Sequence, residues 1–275
     1  MKKYILLLLS FPFTMEVCAQ YYYKDIVSNI QAKSELNNLK DRKIKEVKIF
    51  SYEDDGKPSK GFFCERKLSK DFKSSTVFTR TSAHPPSITT TVYDSQGKLV
   101  YSGDSSEIST THIKYKYDED GRLLTIESTV KSSDDDFVSE INEQHIYIYS
   151  DDFYPDKMIR VINKRDSSTI LFSKDEAGNI SIEKNTKSGN KYFYYYDSKS
   201  RLTDIVHHNE YTEKLIPDYM FEYDDEGNIS QMISTEEGGS YYFVWKYSYE
   251  NGLRKREDCY SKQRLLLGTI KYEYR

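Results

Sequence analysis

The sequence predicts an all-β fold of consecutive antiparallel hairpins, laid out as one extended or curled sheet behind a short N-terminal helix. Three observations predict it. Aromatic residues alternate with polar ones over long stretches, a tyrosine-aspartate-glycine phrase recurs, and tyrosine is abundant, with 26 in 275 residues. Only 37% of the chain is apolar even with those tyrosines counted. A thick aliphatic core is therefore not on offer, whereas tyrosine suits a half-exposed sheet face where the ring packs and the hydroxyl keeps a polar partner.

The chain opens with Met1-Lys2-Lys3 and then an apolar run from Tyr4 to Phe13. A short basic start, an apolar stretch and Val17-Cys18-Ala19 predict a secretory signal peptide over residues 1–19, cut after Ala19. The run is about half of the roughly 20 apolar residues a spanning helix needs, and Glu16 interrupts its end. The expectation is an exported protein, periplasmic or extracellular in the cell envelope, with no membrane span after cleavage. A lipoprotein would acylate Cys18, but Met15-Glu16-Val17 lacks the small residues that such processing prefers.

The whole chain carries a net charge of −4, and removing Lys2, Lys3 and Glu16 leaves −5. Both signs are interspersed along every segment, so no basic face is set aside for phosphates and nucleic acid is not expected as a partner.

Residues 20–45 form a helical leader: Ile26, Val27, Ile30, Leu36 and Leu39 recur at helical spacing among Lys, Asp, Glu and Asn. Such a helix would cover the first edge of the sheet, which otherwise presents unpaired backbone groups.

Residues 46–275 form the tyrosine-rich hairpin domain. Its phrase is clearest in Tyr115-Lys116-Tyr117-Asp118-Glu119-Asp120-Gly121-Arg122-Leu123 and Phe221-Glu222-Tyr223-Asp224-Asp225-Glu226-Gly227-Asn228-Ile229. Looser copies contain Asp94 with Gly97, Asp175 with Gly178, and Asp197 with Ser200; Gly56 and Gly252 belong to degenerate members. The spacing of these turns leaves two long gaps, each with room for one more hairpin, and Tyr147 to Asp152 fills the second. Before each turn the alternation has strand period, as in Ile113, Tyr115 and Tyr117 against Lys114 and Lys116. At the turn the Asp accepts backbone hydrogen bonds and the Gly takes a left-handed conformation that leads into a bulge. Consecutive prolines place Ser82 to Pro86 in a loop, and Ser132 to Asp136 reads as a solvated loop.

Tyr-Asp, two polar residues, Gly, Arg or Asn, then Leu or Ile resembles the YD repeat of Rhs-type proteins, over roughly residues 48–275. In that family consecutive hairpins form a long antiparallel sheet, which in large members winds into a hollow shell around a toxin; related repeats occur in cell-surface adhesion proteins. The resemblance implies the sheet and not the cargo: the repeats are few, the last residues Ile270 to Arg275 are themselves a strand, and no Pro-rich DPxG-like boundary is present. A short exported member without a toxin domain is expected. The family offers no catalytic residues in its repeats to carry over.

No catalytic, cofactor or metal site is legible. His84, His112, His145, His207 and His208 form no ligand pair at a recognised spacing, and the turn carboxylates are explained by hairpin chemistry without an ion. No Gly-x-Ser-x-Gly elbow or phosphate-cradling loop is present. Cys64 and Cys259 could pair only if the sheet curled until its ends met. The sequence therefore predicts a non-catalytic binding or structural module for an envelope protein or glycan, with Tyr241, Tyr242, Trp245, Tyr247 and Tyr249 as the candidate ligand-facing aromatics. The alternative is an envelope glycoside or other hydrolase with a carboxylate pair assembled between loops.

Overall fold

The computed structural model describes residues 20–132, 139–150, 153–209, 213–236 and 239–275. The signal-peptide reading of residues 1–19 and most of the loop expected at Ser132 to Asp136 lie outside them. Among the described residues the chain makes one helical segment and then eighteen strands. The helix opens with wide π-type turns at Tyr22–Val27 and continues as α1, Ser28–Asp41.

The strands follow in order: β1 Glu46–Glu53, β2 Phe63–Leu68, β3 Ser74–Arg80, β4 Ser87–Tyr93, β5 Leu99–Ser106 and β6 Ser109–Tyr117. Next come β7 Leu123–Ser132, β8 Glu140–Ile148, β9 Lys157–Ile162, β10 Asp166–Lys174, β11 Ile180–Asn185 and β12 Lys191–Tyr196. The last third holds β13 Leu202–Asn209, β14 Lys214–Tyr223, β15 Ile229–Thr235, β16 Tyr242–Glu250, β17 Leu253–Ser261 and β18 Leu266–Tyr274.

Each strand pairs antiparallel with the next one in sequence, and β1 pairs with β18 from Val47↔Tyr274 to Glu53↔Gly268. The sheet is thus a closed eighteen-stranded up-and-down barrel, which corrects the expectation of an open or curled sheet. Closure removes the edge groups that an open meander would leave unpaired, so no edge remains for the helix to cover.

The helix occupies the lumen instead. Its Tyr22 and Ile26 pack with Ile113 of β6, Tyr147 of β8, Ile170 of β10, Tyr192 of β12 and Phe221 of β14. Further along, Leu36 and Leu39 pack with Val47 of β1, Cys64 of β2, Tyr93 of β4 and Ile270 of β18. Contacts to strands all round the ring place the helix inside it. A ring of eighteen strands is too wide for wall side chains alone to fill; a helix about 10 Å across, ringed by tyrosines, fills it.

The recurrent phrase builds one repeated turn. In its clearest copy Gly121 N–H donates to Asp118 O at 3.0 Å, Asp118 N–H donates to Arg122 O at 3.0 Å, and Asp118 Oδ1 accepts the Arg122 N–H at 2.8 Å. Asp94, Asp175, Asp197 and Asp224 accept the equivalent N–H at 2.8–3.0 Å. Gly121 has φ +85°, and in the Asp197 turn Ser200 takes the same left-handed region at φ 57°. In the Asp118 hairpin the register then slips by one residue, Lys116↔Thr125 but Tyr117↔Leu123, which is the expected bulge.

All these turns lie at the end of the barrel where α1 finishes. Gly56 does not: it belongs to the β1–β2 connection, at the opposite end, and the turn equivalent to the repeat in that first long gap is Ser69 to Lys73, with Phe72 at φ 59°.

The repeat has a further element that the phrase alone does not announce. Ladder pairing between units stops short of the bulge, and in six units the tyrosine at the end of the strand reaches back to bond the stranded carbonyl, whereas Tyr93 of Tyr93-Asp94 accepts from Thr91 instead. Tyr117 donates to Leu99 O at 2.7 Å, Tyr149 to Leu123 O at 2.8 Å, Tyr196 to Ile180 O at 2.7 Å and Tyr223 to Leu202 O at 2.7 Å. The series ends with Tyr249 on Ile229 O at 2.9 Å and Tyr274 on Arg254 O at 2.6 Å. Replacing one such residue, Tyr223→Phe, is expected to cost about 1 kcal/mol in urea melts by orphaning a carbonyl, with the hairpin itself kept.

The outer face carries exposed apolar side chains, among them Phe50, Phe63, Ile88 and Leu171, interspersed with lysines. Lys67, Lys114, Lys116, Lys184, Lys246 and Lys271 are exposed on it, and Lys116 Nζ meets Glu127 Oε1 across the β6–β7 pair at 2.7 Å.

Candidate functional site

The lumen is where ionisable groups gather away from water. Asp25 on the helix lies against β8: its Oδ2 accepts from His145 Nδ1 at 2.5 Å and from Tyr147 Oη at 2.6 Å. The other imidazole nitrogen of His145 donates to Glu143 Oε1 at 2.7 Å, and Arg160 of β9 holds both Glu143 oxygens at 2.6 and 3.0 Å. With both ring nitrogens facing carboxylates, His145 is a doubly donating imidazolium.

One strand pair away, Glu183 of β11 is 1% exposed and caps the start of the helix. Its oxygens accept the Tyr21 N–H at 3.1 Å, the Tyr22 N–H at 2.9 Å and the Tyr194 hydroxyl at 2.8 Å. Free N–H groups and the positive end of the helix dipole are what a wall carboxylate needs there. On the far side, Glu257 takes Arg254 Nη1 at 3.0 Å and the Tyr272 hydroxyl at 2.5 Å, while the Arg254 guanidinium lies 4.5 Å above the Tyr247 ring.

Burial alone would push the His145 pKa down, but Asp25 and Glu143 outweigh it and lift it to about 9. Burial would raise Glu143, yet His145 and Arg160 hold it at about 2. For Glu183 burial prevails over its three donors and raises it to about 7. The signs follow from which state binds more protons. Stability contributed by Glu143 is present above its ordinary 4.5 and lost as pH falls toward 2. That from Glu183 is full below 4.5 and lost as pH rises through 7, and that from His145 is full below 6.5 and lost as pH rises through 9. Thermal melts across pH are expected to peak near pH 4.5, to fall below it as Glu143 protonates, and to fall above it first through Glu183 and then, beyond 6.5, through His145 as well. A profile flat from pH 5 to 9 would count against these pairings.

These groups are spent on holding the helix to the wall. The space left beside them is a shallow recess of about 220 Å³ at the barrel mouth, among Tyr21, Arg160, Asp166, Lys187 and Asn190. Its two cations are already matched, Arg160 by Glu143 and Lys187 by Asp166.

The aromatics singled out from the sequence do not form one exposed strip. Trp245 is buried on the lumen face opposite Met232 and Cys259, with its indole N–H unpartnered. Tyr247 lies under Arg254, and Tyr249 is a carbonyl-bonding repeat tyrosine. Tyr241 and Tyr242 are half-buried at the opposite rim, Tyr241 against Phe243 and Tyr242 beneath Lys262.

Among the remaining histidines, His112 bonds Tyr101 and His207 bonds Asp218, and among the described residues no group of three His, Cys, Asp or Glu is placed to hold a metal ion. Cys64 and Cys259 are both free and buried. The ends of the sheet do meet, but β18 and β1 stand between the two cysteine strands, a separation of about three strand spacings, near 14 Å, against the roughly 7 Å a disulfide allows. Burial, then Glu257, pushes the Cys259 thiol up to about 12, which keeps it unreactive.

Sequence reasoning missed Tyr21, Tyr22 and Tyr23, which meet His145, Tyr194 and Tyr219 around the lumen, as well as Asp25 and Glu183. The one available signal was Asp25, an acid on the apolar stripe of the helix.

The fold and the filled lumen define a class: a closed β-barrel of consecutive antiparallel hairpins with a helix inside it. No family model and no curated protein matches the chain. Among solved structures, a TcdB2-TccC3-Cdc42 structure is similar at 11% identity and TM-score 0.30, over 78% of this chain and 15% of that one. This chain therefore spans a small part of that protein. A porin-like protein from Bacteroides uniformis is similar at 9% identity and TM-score 0.38, over 84% of this chain and 98% of its own. One from Bacteroides vulgatus has 13% identity and TM-score 0.34, over 73% and 97%. With scores this low, function has to be read from the chain's own residues.

Proposed function

We propose that the chain is an exported, non-catalytic module of the bacterial envelope that binds a protein or glycan on the outside of its barrel. The observation that carries this is the occupied lumen: helix, tyrosines and paired ions fill the one space where a barrel of this size would hold a channel or an enclosed reaction site. A lipid-facing wall is disfavoured on the opposite ground. Outward lysines such as Lys114, Lys116 and Lys246 would each cost about 2–4 kcal/mol at a bilayer midplane, whereas in water they keep the barrel soluble. The export reading rests on the basic and apolar start of the sequence.

The alternative hydrolase needs two carboxylates facing a cleft, and the buried pair Asp25 and Glu143 is bridged by His145. Cell fractionation with N-terminal sequencing, a glycan array and pull-downs from envelope fractions test the proposal together. The expected result is an envelope-located chain beginning at Gln20 that captures a specific partner and turns over no glycoside. Ion conductance across planar bilayers, or hydrolysis of an arrayed glycan, would replace it with a pore or an enzyme.

A further inference from the structure

Where the repeat departs from its own pattern on the outer face, it marks a site. The outward side chains one and three positions before each repeat tyrosine are Lys116 and Lys114 ahead of Tyr117, Glu222 and Met220 ahead of Tyr223, and Ser248 and Lys246 ahead of Tyr249. Ahead of Tyr196 they are Tyr195 and Phe193, and no other tyrosine-ended unit puts an aromatic ring at either position. Tyr195 is 46% exposed, so its ring is open to a ligand from outside.

The rings floor an open outer groove of about 540 Å³ between the Asp175 and Asp197 turns. Ile182, the cross-strand partner of Phe193, extends the floor. Asp175, Asn179, Asp197 and Ser198 supply carboxylate, amide and hydroxyl groups along the walls, and no lysine or arginine lines it. At the groove the β11–β12 ladder ends with Ile182↔Phe193, and beyond it the Tyr196 hydroxyl closes the seam on Ile180 O. That leaves no continuous strand edge for a peptide to extend.

Flat exposed rings flanked by hydrogen-bonding groups, without positive charge, complement a molecule with apolar C–H faces and many hydroxyls. No cation among the described residues stands free in the groove for an anionic ligand: Asp197 is already paired with Arg201, and the Asp175 carboxylate has no ion-pair partner there. We infer that this groove binds a neutral saccharide, one ring of which stacks on Tyr195 while its hydroxyls bond the turn residues. The inference rests on the binding-module reading and gives it a ligand class and a place.

The test is titration calorimetry of the full exported chain against a panel of neutral hexose and N-acetylhexosamine oligosaccharides, acidic oligosaccharides and unstructured peptides. One neutral class is expected to bind. Tyr195→Ala should weaken it by about tenfold or more with melting unchanged, and Lys116→Ala, at the same repeat position in another unit, should leave it intact. Equal binding by Tyr195→Ala moves the sugar elsewhere and overturns the groove, while the module reading survives. Tyr195-dependent binding of an acidic saccharide or a peptide overturns the ligand class. If no saccharide binds, the inference falls; if, in addition, no specific partner emerges from envelope pull-downs, the module reading falls with it.

Discussion

His145→Ala is expected to lower the free energy of unfolding by about 3–5 kcal/mol, the usual cost of removing one partner from a buried ion pair. The imidazolium sits between two carboxylates on different elements, at 2.5 Å from Asp25 of the plug and 2.7 Å from Glu143 of the wall. Without it Glu143 keeps the two bonds from Arg160, but Asp25 keeps only the Tyr147 hydroxyl. A carboxylate 8% exposed with one neutral donor has lost most of what offset its desolvation. Asp25→Asn should therefore cost less than His145→Ala, because it removes the charge together with its need for a partner. The double variant should cost less than the sum of the singles, a coupling that urea melts of the four proteins measure directly. His145→Ala should also flatten the decline in stability between pH 6.5 and 9, the interval that the raised His145 value assigns to this residue. A cost below about 1 kcal/mol, or an unchanged alkaline limb, would mean that the plug is not held by this pair.

What was legible in the sequence is what is settled locally. Asp118, Gly121 and Leu123 fix a hairpin through contacts within a few residues, so the turn and its bulge could be read from the phrase alone. Closure could not, because Val47↔Tyr274 joins the two ends of the strand domain and depends on the twist accumulated by every hairpin between them. Alternation says that one face is covered without saying which becomes the inside. Trp245 and Tyr247 therefore carried the same signal whether they faced a ligand or the lumen. Gly56 resembles the repeat glycines in its neighbours but lies at the opposite end, a distinction of strand parity that needs the count of strands between turns. In Tyr192-Phe193-Tyr194-Tyr195-Tyr196 both faces are aromatic, so period two disappears and the exposed members are hidden among the buried ones.

The second large effect concerns the plug. Leu36→Ala and Leu39→Ala are each expected to cost about 2–5 kcal/mol, since both side chains are 2% exposed and touch strands too rigidly paired to close over the cavity. The informative part is how the loss is distributed. Inward residues of β1, β2, β4 and β18 share one buried cluster with these two leucines, and Tyr22 and Ile26 belong to the cluster of the other strands. The helix is thus part of both apolar clusters, and plug and barrel should unfold as one unit. Trp245 is the only tryptophan in the chain and is 6% exposed on the lumen face, so its emission reports opening of the interior while far-ultraviolet circular dichroism reports the strands. In the Leu36→Ala/Leu39→Ala variant both signals are expected to shift to lower denaturant together, with coincident midpoints. A red shift of Trp245 that precedes any loss of strand signal would mean that the barrel stands without its helix, making the plug a separable element.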